Sequence, residues 1–306
     1  METASEAKKN ILITGASGMI GRSLTRFLEK SGYQVYALSR TNEKAPFYFD
    51  QVSKKMYLSD VIPLFGVINL AGTNISDKRW NPARKKEIIS SRESTTELLC
   101  QSIVRLKNKP AVLLSASAIG FYGPTGEEFS NEKSPAGNDF LAEVSKRWEN
   151  ATTIASAEGI RTVQLRFGIV LSVTGGVLQN FLLPLRLAVV GPLGSGTQKI
   201  SWISITDVLR LVRLCLKNPK LSGPLNLVSN NAVSSREFAK TLSKAAARPH
   251  LPTIPASIAR LMFGEMADAA LLASSDVRSE KYEEVGFQLQ HPTLEAALTH
   301  LLDEDE

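Results

Sequence analysis

The sequence has few cysteines and histidines, and neither type is grouped as a metal site requires. Cys100 and Cys215 are the only cysteines, and both lie in apolar segments with helical periodicity. The three histidines lie in the last quarter of the chain, without the spacing of metal ligands. Zinc sites need several such ligands at short, regular spacings. We therefore predict two buried free thiols and no metal.

Long apolar runs are also missing. A membrane-spanning helix needs roughly 20 apolar residues, whereas the most apolar stretch, LLPLRLAVVGPLG at 182–194, is interrupted by Arg186 and two prolines. We interpret this stretch as core. The N-terminal METASEAKKN contains acidic residues and lacks the apolar segment of a secretory signal. These features predict a cytoplasmic protein without a membrane partner.

The basic residues are not concentrated in one stripe, although the net charge is +6 and the pI is near 9.2. They occur in small groups, such as 8–9 and 84–86, without interleaved aromatic residues. Nucleic-acid-binding proteins usually gather Lys and Arg on one face. We predict a solvated basic surface, which would also attract an anionic small molecule, and no nucleic-acid partner.

Strand-like and helix-like segments alternate through residue 171. Strands are predicted where β-branched or alternating apolar residues occur, and helices where apolar residues recur every three to four positions. The predicted strands are 10–14, 34–39, 66–72, 111–117 and 161–171, and the predicted helices are 18–30, 83–107 and 139–157. This alternation predicts an α/β fold, a Rossmann-like doubly wound parallel sheet.

After residue 171, Gly and Pro interrupt the periodicity. We assign 172–203 and 229–306 to a smaller C-terminal lobe that ends in a helix around 293–302. The segment 204–228 is predicted to return to the main sheet. The larger domain, which contains the predicted Rossmann-like sheet, then comprises 1–171 and 204–228.

The stretch ILITGASGMIGRSL (11–24) places Gly15, Gly18 and Gly21 between the first predicted strand and helix. In a dinucleotide-binding turn the first glycine permits the tight turn, and the second lets backbone N–H groups approach a pyrophosphate. The third lets the helix pack closely on the strand. The helix N-terminus then attracts the phosphates. The residues between these glycines that we assign to the same cofactor site are Ser17, Met19 and Ile20.

The residues after the second predicted strand favour a phosphorylated cofactor. NAD-binding proteins place an Asp or Glu about 20 residues beyond the glycines, on the ribose 2′-hydroxyl. This sequence has Ser39 and Arg40 there. A guanidinium pairs with a 2′-phosphate through charge-assisted hydrogen bonds, so we predict NADP(H) as the cofactor. The alternative is that Arg40 is a solvated loop residue.

Further motifs occur in order along the chain. They are INLAGTNISDKRW (68–80), SRESTTELL (91–99), SASAIGFYG (115–123), LRFGIVLSVTGG (165–176), GPLGSGTQKISWISITD (191–207), RPHLPTIPASIARLMFGEMADAALL (248–272) and GFQLQHPTLEAAL (286–298). Together with the glycine turn, they resemble the extended short-chain dehydrogenase/reductases of the NAD(P)-dependent epimerase/dehydratase superfamily, over about residues 10–302. More narrowly, the chain is similar to the SDR39U1-like branch of epimerase family proteins, with its characteristic C-terminal domain.

The resemblance implies roles for further residues. It places Ser39 and Arg40 against the adenosine 2′-phosphate. The other positions that the resemblance assigns to the cofactor are Leu70, Ala71 and Gly72 along its length, Glu87 and Arg92 on the long helix, and Val170 near the nicotinamide. For Glu87 and Arg92, the alternative to a cofactor contact is an ion pair on the helix face.

The usual catalytic tyrosine is absent. Extended members of this family carry a Ser or Thr after a central strand and a Tyr-x-x-x-Lys on a later helix. A phenol acts as a base near neutral pH only when a nearby cation lowers its pKa. Here the helix reads DFLAEVSKRWEN (139–150), with Phe140 or Leu141 at the tyrosine position and Ala142 four residues before Lys146. Ordinary alcohol oxidation therefore lacks its usual proton-transfer group.

Two hydroxyl groups remain as catalytic candidates. Ser117 is the preferred serine, with Ser115 as the alternative. Tyr122, in GFYG, is predicted either to contact the substrate and donate a proton or to pack under its loop. The candidates on the substrate side are Arg79, Trp80, Gln198 and Trp202. Packing is the alternative for both tryptophans, and Asp207 is predicted to cap the following helix.

Two functions are compatible with these features. The first is an NADP(H)-dependent oxidoreductase or epimerase that acts on an unidentified small molecule. The second is an NADP(H)-binding protein with little or no turnover, acting as a nucleotide-stabilised regulatory or partner-binding module. A polar pocket beside the cofactor would favour the first, and a cleft filled by apolar side chains would favour the second.

Overall fold

The computed structural model describes residues 9–126, 128–176, 191–249 and 252–303. The strands are β1 (Asn10–Thr14), β2 (Gln34–Ala37), β3 (Phe47–Asp50), β4 (Lys55–Leu58), β5 (Leu64–Asn69), β6 (Val112–Ala118), β7 (Arg161–Phe167), β8 (Ile169–Leu171), β9 (Lys199–Ile200), β10 (Trp202–Ser204), β11 (Gly223–Leu227) and β12 (Val233–Ser234). The helices are α1 (Met19–Lys30), α2 (Pro82–Val104), α3 (Phe140–Asn150), α4 (Thr153–Ala157), α5 (Ile205–Lys217), α6 (Ser235–Ala245), α7 (Ala256–Phe263), α8 (Lys281–Glu284) and α9 (Leu294–Asp303). A 3-10 turn covers Ile119–Tyr122, and a π-helical turn covers Ala267–Leu271.

Six strands form one parallel sheet in the order β11-β7-β6-β5-β1-β2. Alternate residues of β1 enter separate cores, because side chains along a strand point to opposite faces. Ile11 and Ile13 pack with Leu24 of α1 on one face, and Leu12 packs with Leu99 of α2 on the other. The predicted Rossmann-like α/β fold is confirmed.

The strand order reverses at β1, which lies between β5 and β2. In open α/β sheets, ligands bind outside the carboxyl ends of the strands at this reversal. The carboxyl end of β1 is the glycine turn at 15–21. The topology therefore places the predicted cofactor site at the position where such sheets bind nucleotides.

Three segments differ from the sequence prediction. The hairpin β3–β4 was not predicted; its aromatic pair Tyr48 and Tyr57 stacks across the strands with ring centroids 6.2 Å apart. The strand predicted at 161–171 is divided at Gly168, where a Cβ atom would lie 2.9 Å from a backbone oxygen, and β8 pairs with β10 instead. The helix predicted at 139–157 is divided into α3 and α4.

The C-terminal part packs beside the main sheet. β11 joins that sheet next to β7, and α6 packs against α9. The exact division into two domains stays a prediction. Most of the apolar stretch 182–194, the N-terminal residues 1–8 and the acidic end 304–306 lie outside the described residues.

Within the described ranges, no helix is both long and apolar enough to cross a membrane. In the same part of the chain, no group of three or more His, Cys, Asp or Glu side chains is arranged to hold a metal ion.

The prediction of two buried free thiols is confirmed, because neither Cys100 nor Cys215 forms a disulfide and both are buried. Burial raises the pKa of each thiol to about 12. In the unfolded chain a cysteine thiol has a pKa of about 8.5. At pH values below this pKa the two protonated thiols make their full contribution to the free energy of unfolding. This contribution is lost as the pH rises towards the thiol pKa values of the folded protein.

The free energy of unfolding is therefore expected to fall above about pH 9 and to fall less steeply in the double variant Cys100→Ala/Cys215→Ala. Urea titrations at several alkaline pH values measure both slopes. Each single variant serves as a control and should give an intermediate slope. Equal slopes in the wild type and the double variant would contradict the assignment to the thiols.

Candidate functional site

The glycine turn requires two of its glycines for close backbone approach. Gly15 has φ +70°, and a Cβ atom there would lie 2.6 Å from the carbonyl oxygen of Leu70. A Cβ atom on Gly21 would lie 2.3 Å from the carbonyl oxygen of Gly15. Any other residue would therefore push β5 or α1 away from the turn. The roles of the first and third glycine agree with the sequence pattern.

The N-terminus of α1 is open to a ligand. Gly15, Ser17 and Gly18 are exposed. Gly18 is the N-cap and provides no side-chain hydrogen bond, and the first turn contains no acidic residue. The first backbone N–H groups of a helix have no partner within the helix. This arrangement fits an anionic diphosphate, which these N–H groups and the helix dipole attract.

Met19 and Ile20 lie at the start of the same helix, and both pack against the main core. The Met19 side chain lies against the loop after β8, where a Cβ atom on Gly175 or Gly176 would be 3.1 Å from it. Ile20 packs against the main core. Val170, in β8, is buried in that core as well. A cofactor contact by any of these three side chains stays a prediction.

The turn after β2 presents an exposed guanidinium group, that of Arg40. Ser39 Oγ accepts hydrogen bonds from the backbone N–H groups of Asn42 at 2.9 Å and Thr41 at 3.3 Å, which fixes the turn. Arg40 is exposed and forms no ion pair with another described residue. The Ser39 hydroxyl hydrogen and the Arg40 guanidinium are thus available as donors. The arrangement fits a phosphate group beside the ribose.

A buried hydrogen-bond network connects the ends of β1, β5 and β6 beneath the predicted cofactor site. Thr14 Oγ1 donates to Asn69 Oδ1 at 2.7 Å, and Asn69 Nδ2 donates to Thr96 Oγ1 at 2.8 Å and to Ser115 Oγ at 3.2 Å. Trp148 Nε1 donates to Thr96 Oγ1 at 3.1 Å. The network joins β1, β5 and β6 to α2 and α3. It occupies Ser115, the alternative serine, in a structural role.

Sequence reasoning missed this network. The available signal was a polar residue, Asn69, inside the otherwise apolar strand GVINLAG. A buried amide needs partners, because an unpaired one costs free energy. The residues that follow it, Leu70, Ala71 and Gly72, are accessible at the end of β5. They lie at the same sheet edge as the glycine turn.

Arg92 is placed behind this loop. Its Nη2 donates to the Thr73 carbonyl at 3.0 Å, its guanidinium lies 5.0 Å from the Trp148 ring centre, and a Cβ atom on Gly72 would touch it at 3.2 Å. Burial is the main cause that lowers the pKa of Arg92, to about 10. Glu87 pairs with Arg84 at 2.8 Å. Glu87 thus forms an ion pair on the helix face, as in the alternative, but its partner among the described residues is Arg84 and not Arg92. A cofactor contact by Glu87 or Arg92 stays a prediction.

The predicted catalytic hydroxyls belong to one buried chain of hydrogen bonds. Ser117 Oγ donates to Glu149 Oε1 at 2.6 Å. Arg166 binds both carboxylate oxygens of Glu149 at 2.7 Å and donates to Tyr122 Oη at 2.8 Å. Tyr122 Oη in turn donates to Asn226 Oδ1 at 2.8 Å. Sequence reasoning missed Glu149 and Arg166. The available signal was the charged Arg166 between the apolar Leu165 and Phe167 of a predicted strand.

This chain limits proton transfer by either hydroxyl. Tyr122 is 6% exposed and Ser117 is 2% exposed. Burial raises the pKa of Tyr122 more than the neighbouring Arg166 lowers it, so the phenol is protonated at neutral pH. The geometry favours the packing role for Tyr122. A catalytic role for Tyr122 or Ser117 stays a prediction that would require a rearrangement of these hydrogen bonds.

The helix that usually carries the catalytic tyrosine presents apolar side chains here. Phe140 packs at 67° against Trp80, with ring centroids 5.0 Å apart. Leu141 lies under Gly120, whose Cβ would be 3.1 Å away. Lys146 Nζ donates to the Gly137 carbonyl at 3.2 Å. The helix therefore offers neither the phenol nor a lysine one turn after it.

Both tryptophans predicted on the substrate side are core residues. Trp202 is fully buried, and its Nε1 donates to the Asn231 carbonyl at 3.0 Å. Trp80 is buried, and its Nε1 donates to the Ile75 carbonyl at 2.9 Å. The packing alternative fits both positions, because both side chains are buried and both indole N–H groups bond to backbone carbonyls.

The two polar candidates are held by backbone carbonyls. Gln198 is buried, and its Nε2 donates to the Leu193 carbonyl at 3.0 Å. Arg79 is exposed and donates to the carbonyls of Arg260 and Leu261 at the end of α7. Gln198 connects segments of the C-terminal part, and Arg79 connects the loop after β5 to α7. A substrate contact by either stays a prediction.

Asp207 is not the N-cap of α5. Ser204 is the cap and accepts the hydrogen bond from the Asp207 N–H group at 3.1 Å. The fully buried Asp207 carboxylate accepts from the N–H groups of Gln290 at 2.7 Å and His291 at 3.0 Å. It supports the first turn of α5 and also fixes the segment before α9.

Sequence and structure comparisons agree with this geometry. A family profile described as the NAD dependent epimerase/dehydratase family matches residues 11–227. The chain belongs to this family. A second profile, Domain of unknown function (DUF1731), matches residues 254–301.

Individual relatives cover nearly the whole chain. The chain is 34% identical to epimerase family protein YfhF of Bacillus subtilis, over 96% of this chain and 98% of the relative. It is 32% identical to human epimerase family protein SDR39U1, over 95% and 99%. A crystal structure of human SDR39U1 (isoform2) with NADPH has a TM-score of 0.89 and 30% identity, and the match covers 96% of this chain and 99% of that chain. The predicted resemblance is confirmed.

Proposed function

We propose that this protein binds NADP(H) and transfers hydride to or from a small molecule held beside the nicotinamide, as an oxidoreductase or epimerase. The exposed Arg40, which follows β2 where an acid would select NAD, carries the proposal. The glycine turn and the uncapped start of α1 support it. The NADPH in the human SDR39U1 structure adds further support.

Each part of the turn would bind a different cofactor group. Backbone N–H groups at the start of α1 would bind the diphosphate, and Ser39 with Arg40 would bind the 2′-phosphate. The Thr14–Asn69 hydrogen bond keeps the ends of β1 and β5 together beneath the cofactor. The bound cofactor supplies or accepts the hydride.

A second candidate is an NADP(H)-binding protein with little or no turnover. The hydrogen bonds that occupy Ser117 and Tyr122 favour it, because neither hydroxyl is offered to a ligand. A screen of carbonyl compounds monitored by loss of reduced cofactor separates the two candidates. The cytoplasmic location and the lack of nucleic-acid and membrane partners stay predictions from the sequence.

Replacing Arg40 with alanine is expected to weaken NADPH binding by about 10- to 150-fold and to leave NADH binding unchanged, because one charge-assisted contact contributes roughly 1.5–3 kcal/mol. Calorimetric titration with each nucleotide measures both constants. Lys44→Ala, a charge removal in the same exposed loop, is the matched control and should change neither. An Arg40→Ala protein with the wild-type preference for NADPH would contradict the proposal.

A further inference from the structure

A cavity of about 220 Å³ lies beyond the carboxyl ends of β6 and β7. Ile119 and Phe167, at the ends of these strands, form one side. Phe238 and Leu242 of α6 and Leu271 of the π-helical turn form part of the other. Because the main sheet is entirely parallel, this cavity opens at the same sheet edge as the glycine turn.

Charged groups are scarce around this cavity. Among the described residues that line it, Asp139 and Lys199 are the charged side chains. Asp139 Oδ1 already accepts a hydrogen bond from the Ala142 N–H group at 2.8 Å. No arginine or histidine belongs to this described lining. The described part of the walls therefore lacks the guanidinium groups that bind phosphates in a forked geometry.

Three of the serine hydroxyls that line the cavity form hydrogen bonds with the backbone. Ser201 Oγ donates to the Ser275 carbonyl and accepts from the Val277 N–H group, both at 2.8 Å. Ser235 Oγ and Ser274 Oγ accept from backbone N–H groups at 3.1 and 3.0 Å. Ser201 therefore has no hydrogen left to donate, whereas Ser235 and Ser274 can each still donate one hydrogen bond. These few donors do not match the many hydroxyls of a sugar. An unpaired buried hydroxyl is costly.

We propose that this cavity binds a small apolar aldehyde or ketone, or the corresponding alcohol, and not a nucleoside diphosphate sugar. The choice of a carbonyl compound or its alcohol rests on the proposed function, since a hydride donor needs an acceptor carbon beside it. A hydrocarbon body suits the aromatic and aliphatic walls. Two phosphates would meet one cation in the described lining, the exposed Lys199. The volume is also below the roughly 300–1,000 Å³ of sites for drug-sized ligands.

Calorimetric titration of the protein with 2-nonanone and with UDP-glucose tests this proposal, with and without saturating NADP⁺. We expect measurable binding of 2-nonanone and none of UDP-glucose. Ala239→Leu and Ala270→Leu place extra methyl groups in the cavity and should each weaken 2-nonanone binding by about tenfold or more. Ala157→Leu, on an exposed position of α4, should leave it unchanged.

NADPH affinity and the thermal midpoint of each variant report whether the fold is retained. Binding of UDP-glucose alone would overturn the proposal, as would 2-nonanone binding that neither leucine variant weakens. Failure of NADPH to bind would overturn the proposed function instead. In that case the titration with 2-nonanone in the absence of cofactor still tests whether the cavity binds an apolar ligand, because protein side chains form the cavity walls.

Discussion

Glu149→Ala is expected to lower the free energy of unfolding by about 3–5 kcal/mol. The Arg166 side chain is 4% exposed, and both oxygens of Glu149 bind it at 2.7 Å. Without the carboxylate, a buried guanidinium would remain charged and unpaired, and Ser117 would lose its acceptor. Urea denaturation followed by circular dichroism measures the effect.

The matched control is an exposed ion pair of equal length. Lys109 and Glu158 lie 2.7 Å apart, with side chains 39% and 54% exposed. Because solvent screens such a pair, Glu158→Ala should leave stability almost unchanged. If Glu149→Ala and Glu158→Ala had the same small effect, the buried pair would not contribute as described. Glu149→Gln retains hydrogen bonding without the charge and should fall between Glu149→Ala and the wild type.

Gly21→Ala is expected to destabilise the protein by about 1–3 kcal/mol and to weaken NADPH binding by about 100-fold or more. Its methyl group would lie 2.3 Å from the Gly15 carbonyl oxygen and 2.7 Å from the Ala16 Cα atom. Both neighbours are backbone atoms, so α1 must move away from β1. The backbone N–H groups at the start of α1 would then move away from the diphosphate that they are proposed to bind.

Gly18→Ala separates the two effects. Gly18 has φ −70°, and a methyl group there would lie 3.3 Å from the Gly15 carbonyl oxygen. We expect a cost in stability of no more than about 1 kcal/mol, typical of a lost glycine N-cap. NADPH binding should still weaken, because the methyl group occupies the approach of the diphosphate. Unchanged affinity in Gly18→Ala would place the diphosphate elsewhere. Thermal unfolding and calorimetric titration of both variants provide the comparison.

The candidate site divides into a predictable half and an unpredictable half. Gly15, Gly18 and Gly21 could be assigned from spacing, because a tight turn and a close helix contact depend on neighbouring residues. Ser39 and Arg40 could be located by counting from the glycines. The side chains beyond the nicotinamide position could not, because each is held by residues far away in sequence. Tyr122 bonds to Asn226, and Ser117 bonds to Glu149.

The sequence by itself determined the alternating α/β fold, the glycine turn and the basic residue after β2, because these follow from local periodicity and turn chemistry. Only the tertiary structure decided that Trp80 and Trp202 are core residues and that Glu149 pairs with Arg166. It also decided that a mainly apolar cavity follows β6 and β7. The physical reason is that burial and pairing depend on which distant segments meet, and residue spacing along one segment does not specify this.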